Sequence, residues 1–159
     1  MSEHIHENLT GEKPSGHRNM MIIMVVFLIV WAVDSFLLRI TTFLWSWTYF
    51  WVFAGVGGVI IIVAAYFINA SHKDLLNTQA DELATSGVFS RVRHPMYLGS
   101  HLVYLGLAVI TFSLASIVVW IVAFAVYNDL ANYEEIRLEE RFGEEYHQYQ
   151  KNVRKWIPF

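Results

Sequence analysis

Residues 47–68, WTYFWVFAGVGGVIIIVAAYFI, carry no charge over a length close to the roughly 20 residues a helix needs to cross a bilayer. A chain of 159 residues is short for enclosing such a run on every side, and 55% apolar and 16% aromatic residues exceed what a soluble domain of this size carries. The run therefore directs the chain into a membrane as a spanning helix. Its Gly55, Gly57 and Gly58, with Ala54 nearby, form a small-residue patch that lets another helix approach closely. Sitting inside an uninterrupted apolar run, they do not make a phosphate-cradling loop.

Residues 20–38 are apolar except for Asp34 and read as an earlier span, with Asp34 near its end reaching interfacial water and Arg39 marking the boundary. Trp45 and Trp47, residues that favour the headgroup level, lead into the second span. Residues 98–112 are apolar apart from Ser100 and His101, and residues 113–130 are apolar again until Asn128 and Asp129. One straight helix of that combined length would overshoot a hydrocarbon core about 30 Å thick, so a turn at 112–116 is expected to fold them into a hairpin. His101 reads as a hydrogen-bonded packing residue rather than a base. The fold class expected is all-α: a polytopic membrane protein with four transmembrane helices, at 20–38, 47–68, 98–112 and 116–130. Around them lie a polar tail at 1–19, a loop at 69–97, and a C-terminal amphipathic helix and tail at 131–159, with residues 20–159 forming one domain. Part of the loop is expected to be helical, because Leu75, Leu76, Gln79 and Leu83 recur at three-to-four spacing until Gly87.

Charge sets the orientation. With four spans the two tails and the 69–97 loop share one side, which then holds ten of the eleven basic residues and leaves only Arg39 opposite. The positive-inside rule places that side in the cytoplasm, which implies a multi-pass protein of an inner (cytoplasmic) membrane with both termini cytoplasmic. The small net charge of −3 argues against nucleic acid as a partner, and the absence of cysteine removes disulfides, thiolate metal sites and a catalytic thiol. His4, His6 and His17 lie in the tail on no regular face, so no metal site is assigned to them. The tail is too long and too acidic for the n-region of a cleaved signal peptide, so residues 20–38 are expected as a retained helix.

Between the apolar regions stands SGVFSRVRHPMYLG, residues 86–99, which packs Arg93, His94, Pro95, Tyr97 and Gly99 into seven positions. Packing alone does not require such a density of donors and special-backbone residues. Pro95 fixes its own backbone and disfavours helix at His94, turning the side chains before it away from the third span. The C-terminal segment offers a counterpart: Leu130, Tyr133, Arg137, Leu138 and Phe142 share a helix face, Gly143 breaks the period, and Glu134 stands where the helix leaves the membrane, able to point back toward the Arg93–Tyr97 corner. Lys151, Arg154, Lys155 and Trp156 read as headgroup anchors.

The run GVFSRVRHPMYLG, followed by EEIRLEERFGEEYHQYQKNVRKWIP, resembles the isoprenylcysteine carboxyl methyltransferase family and its relatives among integral-membrane phospholipid methyltransferases. The resemblance covers residues 83 to the C-terminus. It implies an enzyme that transfers a methyl group from S-adenosylmethionine, with Arg93, His94 and Tyr97 as catalytic residues. By position it also implies a cofactor site of Glu82, Leu83, Ala84, Phe89, His94, Pro95, Met96, Tyr97, Glu134 and Glu135, the last on a face rotated from Glu134. Phe89 replaces a tyrosine common in the family, keeping an aromatic face without the hydroxyl. The residue types suit the donor: Glu134 for its ammonium or ribose, Arg93 or His94 for its carboxylate, and Tyr97 or Phe89 for its adenine. Prenylcysteine methyltransferases resemble one another in placing an arginine four residues before the first glutamate, where it can meet the substrate carboxylate. Here that residue is Leu130. The implied acceptor is therefore lipidic or small and apolar, reached from the bilayer, and membrane lipids are the expected partners. The alternative is a non-catalytic membrane subunit whose RHPxY corner binds lipid headgroups or a partner protein.

Overall fold

A computed structural model describes residues 15–43, 47–79 and 81–157. Helix α1, Gly16–Ala32, continues without a break into a π-helical turn, Val33–Leu38, and ends where Arg39 turns left-handed at φ 51°. The span thus begins at Gly16 rather than Met20. His4, His6 and Trp45 lie outside the described residues.

Helix α2, Trp47–Asn77, runs nine residues past the expected end at 68. No proline or glycine interrupts residues 69–77, and Ser71 and Leu75 keep one face buried, so the helix outlasts the apolar run that begins it. A short 3-10 turn, Gly87–Ser90, follows. Helix α3, Pro95–Thr111, begins with proline at its first turn, where the missing N–H costs nothing. Phe112, left-handed at φ 49°, makes the expected hairpin turn. Helix α4, Leu114–Phe142, is continuous through residue 130, so the fourth span and the amphipathic helix are one element. It stops at Gly143, whose φ of 54° ends the helix, and α5, Glu144–Asn152, follows.

By length and composition, residues 16–38, 49–77 and 114–142 can each cross a membrane, and α3 is a shorter apolar helix of 17 residues. Exposed apolar side chains cover the outer faces of α1 (Ile22, Ile29), α2 (Val59, Ile62) and α4 (Val118, Ile121), as lipid-facing helices require. The chain is an all-helical integral membrane protein.

In the bundle α2 packs most closely along α3, and α4 packs on both α1 and α3. Close approach of α2 and α3 depends on glycine. A Cβ at Gly57 would lie 2.6 Å from the Gly106 carbonyl oxygen and 2.5 Å from Ile110, and one at Gly99 would lie 3.0 Å from the Ala64 carbonyl oxygen. Gly55 and Gly58, expected in the same contact, face open space. The core of the bundle is aromatic: Phe27, Tyr97, Tyr104 and Tyr127 pack with Leu130 and Ala131, and the Tyr104 and Tyr127 hydroxyls are 3.0 Å apart.

Asp34 does not reach interfacial water. It is buried and accepts hydrogen bonds from Thr41 Oγ1 (2.7 Å), Thr42 Oγ1 (3.0 Å) and Ser113 Oγ (2.6 Å), and from the Thr41 N–H (3.0 Å). These tie the end of α1 to the α3–α4 turn and satisfy the charge within the protein. His101 is a packing residue but not a hydrogen-bonded one: the rings of Tyr104, Phe124, Tyr127 and Trp156 surround it, and among the described residues neither ring nitrogen has a partner.

Candidate functional site

The backbone before α3 dictates the corner. With Pro95 at the helix start, His94 adopts φ −122°, ψ 63°, outside the helical region, and its side chain turns toward α4 rather than along α3. One turn later Tyr97 stacks its ring nearly parallel to the imidazole, with centroids 5.7 Å apart. Across the hairpin α4 brings up two carboxylates. Glu134 accepts a hydrogen bond from the Tyr97 hydroxyl and lies 3.5 Å from His94 Nδ1. Glu135 Oε1 lies 3.0 Å from His94 Nε2. Burial on its own pushes His94 down, but hydrogen bonds and charge from Glu134 and Glu135 override it, and the imidazole is held above its ordinary range.

Arg93 joins this cluster to the C-terminal segment. Its Nε and Nη2 both lie 3.0 Å from Glu135 Oε1, while Nη1 donates to the carbonyls of Val153 (2.8 Å) and Gln150 (3.3 Å). Its backbone N–H donates to Arg154 O at 3.0 Å. Lys155 approaches Glu135 Oε2 at 3.8 Å, and burial pushes its ammonium below the usual lysine range. Trp156 Nε1 donates to Asn128 Oδ1 at 3.2 Å. These contacts fold the residues after Gly143 back over the corner, so Lys155 and Trp156 serve within the protein.

A cavity of about 250 Å³ lies under this segment. Leu83, Ala84, Phe89, Arg93, His94, Pro95, Met96, Tyr97 and Glu134 line it. Glu82 is exposed and off the wall, and Glu135 stands behind it as the partner of Arg93 and His94. The 3-10 turn that carries Phe89 is pinned from both sides: Asp74 Oδ2 accepts from the Val88 N–H at 2.8 Å, and the Tyr149 hydroxyl donates to Phe89 O at 2.7 Å. Glycine suits position 87, because its φ is 60°, which L side chains rarely adopt, and a Cβ would run into the Asp74 carboxylate.

Sequence reasoning missed His17 and Met20 on α1, His72 and Leu75 on α2, Leu138 on α4, and Tyr146 and Tyr149 on α5, all on the cavity wall. The two tyrosines carried a signal, three residues apart in an amphipathic segment. Burial pushes both hydroxyls up, so they stand as neutral, ring-bearing wall. His17 gave none, since it was read as part of a polar tail. Among the described residues no group of histidines and carboxylates is arranged to hold a metal ion.

These features define a membrane helical bundle with a cavity at one end, lined by an Arg-His-Pro corner and the acidic stretch of a long helix. The family model described as phospholipid methyltransferase matches residues 39–145. The chain belongs to the phospholipid methyltransferase family. It is similar to the protein-S-isoprenylcysteine O-methyltransferases of Mus musculus and Rattus norvegicus, 36% identical to each over 78 residues, which are 48% of this chain and 28% of theirs. The solved structure of the eukaryotic intramembrane Ras methyltransferase ICMT (isoprenylcysteine carboxyl methyltransferase) without a monobody shares the fold. Its TM-score is 0.65 at 19% identity, with 89% of this chain and 53% of that one covered. The chain thus spans about half the length of that structure and under a third of the curated relatives.

Proposed function

We propose that the chain is an S-adenosylmethionine-dependent methyltransferase acting on a lipidic or small apolar acceptor, with the donor in the cavity beneath α5. The observation that carries this reading is the meeting of Tyr97 and His94 with Glu134, 37 and 40 residues away in sequence, on the wall of one cavity. The wall suits the donor. Phe89, Tyr146 and Tyr149 offer aromatic faces to an adenine, and Glu134, braced by the His94 ring, offers a carboxylate to an ammonium or ribose. A donor with a net positive charge matches a site whose own cations are already paired with carboxylates.

When bound, the donor supplies a methyl group on an activating sulfonium. The protein holds and encloses the reactants. Pro95 and Tyr97 fix the corner, Glu135 and Arg93 brace it, and the α5 segment excludes water. The acceptor reaches the site from the bilayer, and the site and both termini lie on the cytoplasmic side of an inner membrane, as the distribution of lysine and arginine implies. The headgroup-binding alternative asks for an exposed corner, whereas His94 and Tyr97 are only 7% and 6% exposed.

Calorimetry with S-adenosylhomocysteine on the purified protein tests the reading. Binding is expected, and Glu134→Gln and His94→Ala should each weaken it about tenfold or more, by loss of a charge-assisted bond. Absence of binding at millimolar ligand would overturn it.

A further inference from the structure

Three hydrogen bonds stitch the end of α2, the 3-10 turn and the C-terminal segment side by side. The Val88 N–H donates to Asp74 Oδ2 (2.8 Å), the Tyr149 hydroxyl to Phe89 O (2.7 Å) and the Arg93 N–H to Arg154 O (3.0 Å). Exposed bases accompany these bonds: Lys73 beside Asp74, Arg91 between Phe89 and Arg93, Lys151 on the turn after Tyr149, and Arg154 itself. They form one cationic surface along the seam.

These cations are uncommitted. Among the described residues Arg93, Arg137, Arg141 and Lys155 pair with carboxylates, whereas Lys73, Arg91, Lys151 and Arg154 pair with none. Asp74, next to Lys73, is turned to the Val88 N–H, and Glu144 and Glu145 open α5 about two turns before Lys151.

Depth and neighbours indicate what meets this surface. Helix α2 has 31 residues, which at 1.5 Å each make roughly 46 Å, against a hydrocarbon core about 30 Å thick. Started at one face of the membrane, it carries Lys73 to the headgroup level of the other. Leu76, one turn on from Lys73, is 63% exposed, and Ile157, close after Arg154, is 53% exposed. Exposed apolar side chains set among bases fit the boundary between acyl chains and phosphates.

We propose that Lys73, Arg91, Lys151 and Arg154 form a binding site for anionic lipid headgroups of the adjoining leaflet, and that a headgroup seated there clamps the C-terminal segment over the cavity. Lys151 and Arg154 belong to the segment that closes the cavity, while Lys73 and Arg91 belong to the side walled by α2 and the 3-10 turn. A lipid phosphate between them adds charge-assisted bonds across the seam. A zwitterionic headgroup, which carries its own ammonium, supplies them less well. The site stands apart from the chemistry of the cavity, whatever ligand the cavity takes.

Native mass spectrometry of the full chain released from nanodiscs of equal phosphatidylglycerol and phosphatidylcholine, with hydrogen exchange in nanodiscs of either composition, provides the test. Phosphatidylglycerol should be retained roughly tenfold over phosphatidylcholine, because each base near an anionic surface is worth up to about fivefold. The preference should fall with added salt. Phosphatidylglycerol should also slow exchange at residues 144–156 several-fold. Lys73→Gln, Arg91→Gln, Lys151→Gln and Arg154→Gln should each reduce the preference about two- to fivefold. Arg137→Gln removes a base already paired with Glu140 and should change it less than about twofold. Equal retention of the two lipids overturns the proposal, and so does an equal loss in Arg137→Gln, which would reduce the effect to overall charge. Slowing at residues 144–156 by millimolar inorganic phosphate in phosphatidylcholine nanodiscs would assign the site to a soluble anion and overturn it as well. Lipid preference with unchanged exchange at residues 144–156 overturns the clamp.

Discussion

At the scale of single residues, the site turns on how charge is shared between His94 and two neighbouring glutamates. The imidazole is held above its ordinary value in the folded protein, so its contribution to stability is fully present below the unfolded imidazole range, near pH 6.5, and is lost as pH rises through the raised value. Melting of the protein in detergent should therefore fall as pH rises above neutral, and His94→Gln should flatten that slope. Parallel profiles for the two proteins would count against it. Tyr97→Phe should weaken S-adenosylhomocysteine binding about tenfold without unfolding, because the ring still packs on His94 and Tyr127 while the bond to Glu134, worth about 1.5–3 kcal/mol as a bond to a charged group, is removed. The corner itself was legible in the sequence because Arg-His-Pro and the following tyrosine are local. Which glutamate lines the cavity and which braces Arg93 was a question of helix rotation, and the adjacent Glu134 and Glu135 fill those two places. Asp34 was misread for the opposite reason. Its partners, Thr41, Thr42 and Ser113, are distributed over two turns, and no local pattern announces a carboxylate satisfied by hydroxyls and a backbone N–H.

At the scale of helices, hydropathy located the spans and missed where the helices end. An apolar run stops where lipid stops, but a helix stops where its backbone is broken, here at Arg39, Phe112 and Gly143 and beyond Asn77. That is why α2 and α4 both outrun their spans and carry cavity residues past them. Glycines were equally ambiguous from sequence, since composition does not say which face meets a neighbour. Gly57→Ala and Gly106→Ala should each destabilise the α2–α3 pair by about 1–3 kcal/mol through overpacking. Gly55→Ala has open space and should be neutral or mildly stabilising by helix propensity. Thermal melting of the three variants checks the ordering, and equal losses at Gly55 and Gly106 would refute the packing argument.

At the scale of the whole molecule, the helices of the bundle meet around the aromatic core, and the C-terminal segment closes the cavity at its end. That segment has its own small core of Tyr146, Tyr149 and Val153, against which Leu83, Leu138 and Phe142 pack. Its attachment to the corner runs through Arg93, which bonds carbonyls at 150, 153 and 154 while gripping Glu135. Lysine cannot reproduce that fork, because it offers a single ammonium in place of a planar set of donors. Arg93→Lys should therefore release the residues after Gly143 while leaving α2 and α3 intact. Hydrogen exchange should quicken roughly tenfold or more at residues 144–156, consistent with local opening below the global stability, with little change at residues 57–68 and 99–110. Lys155→Ala, which removes a long contact to Glu135, a bond to Asn132 and a cation–π contact with Trp156, should loosen the same segment less. If Arg93→Lys quickens exchange equally across all helices, Arg93 supports the bundle as a whole, and the attachment of the roof lies elsewhere.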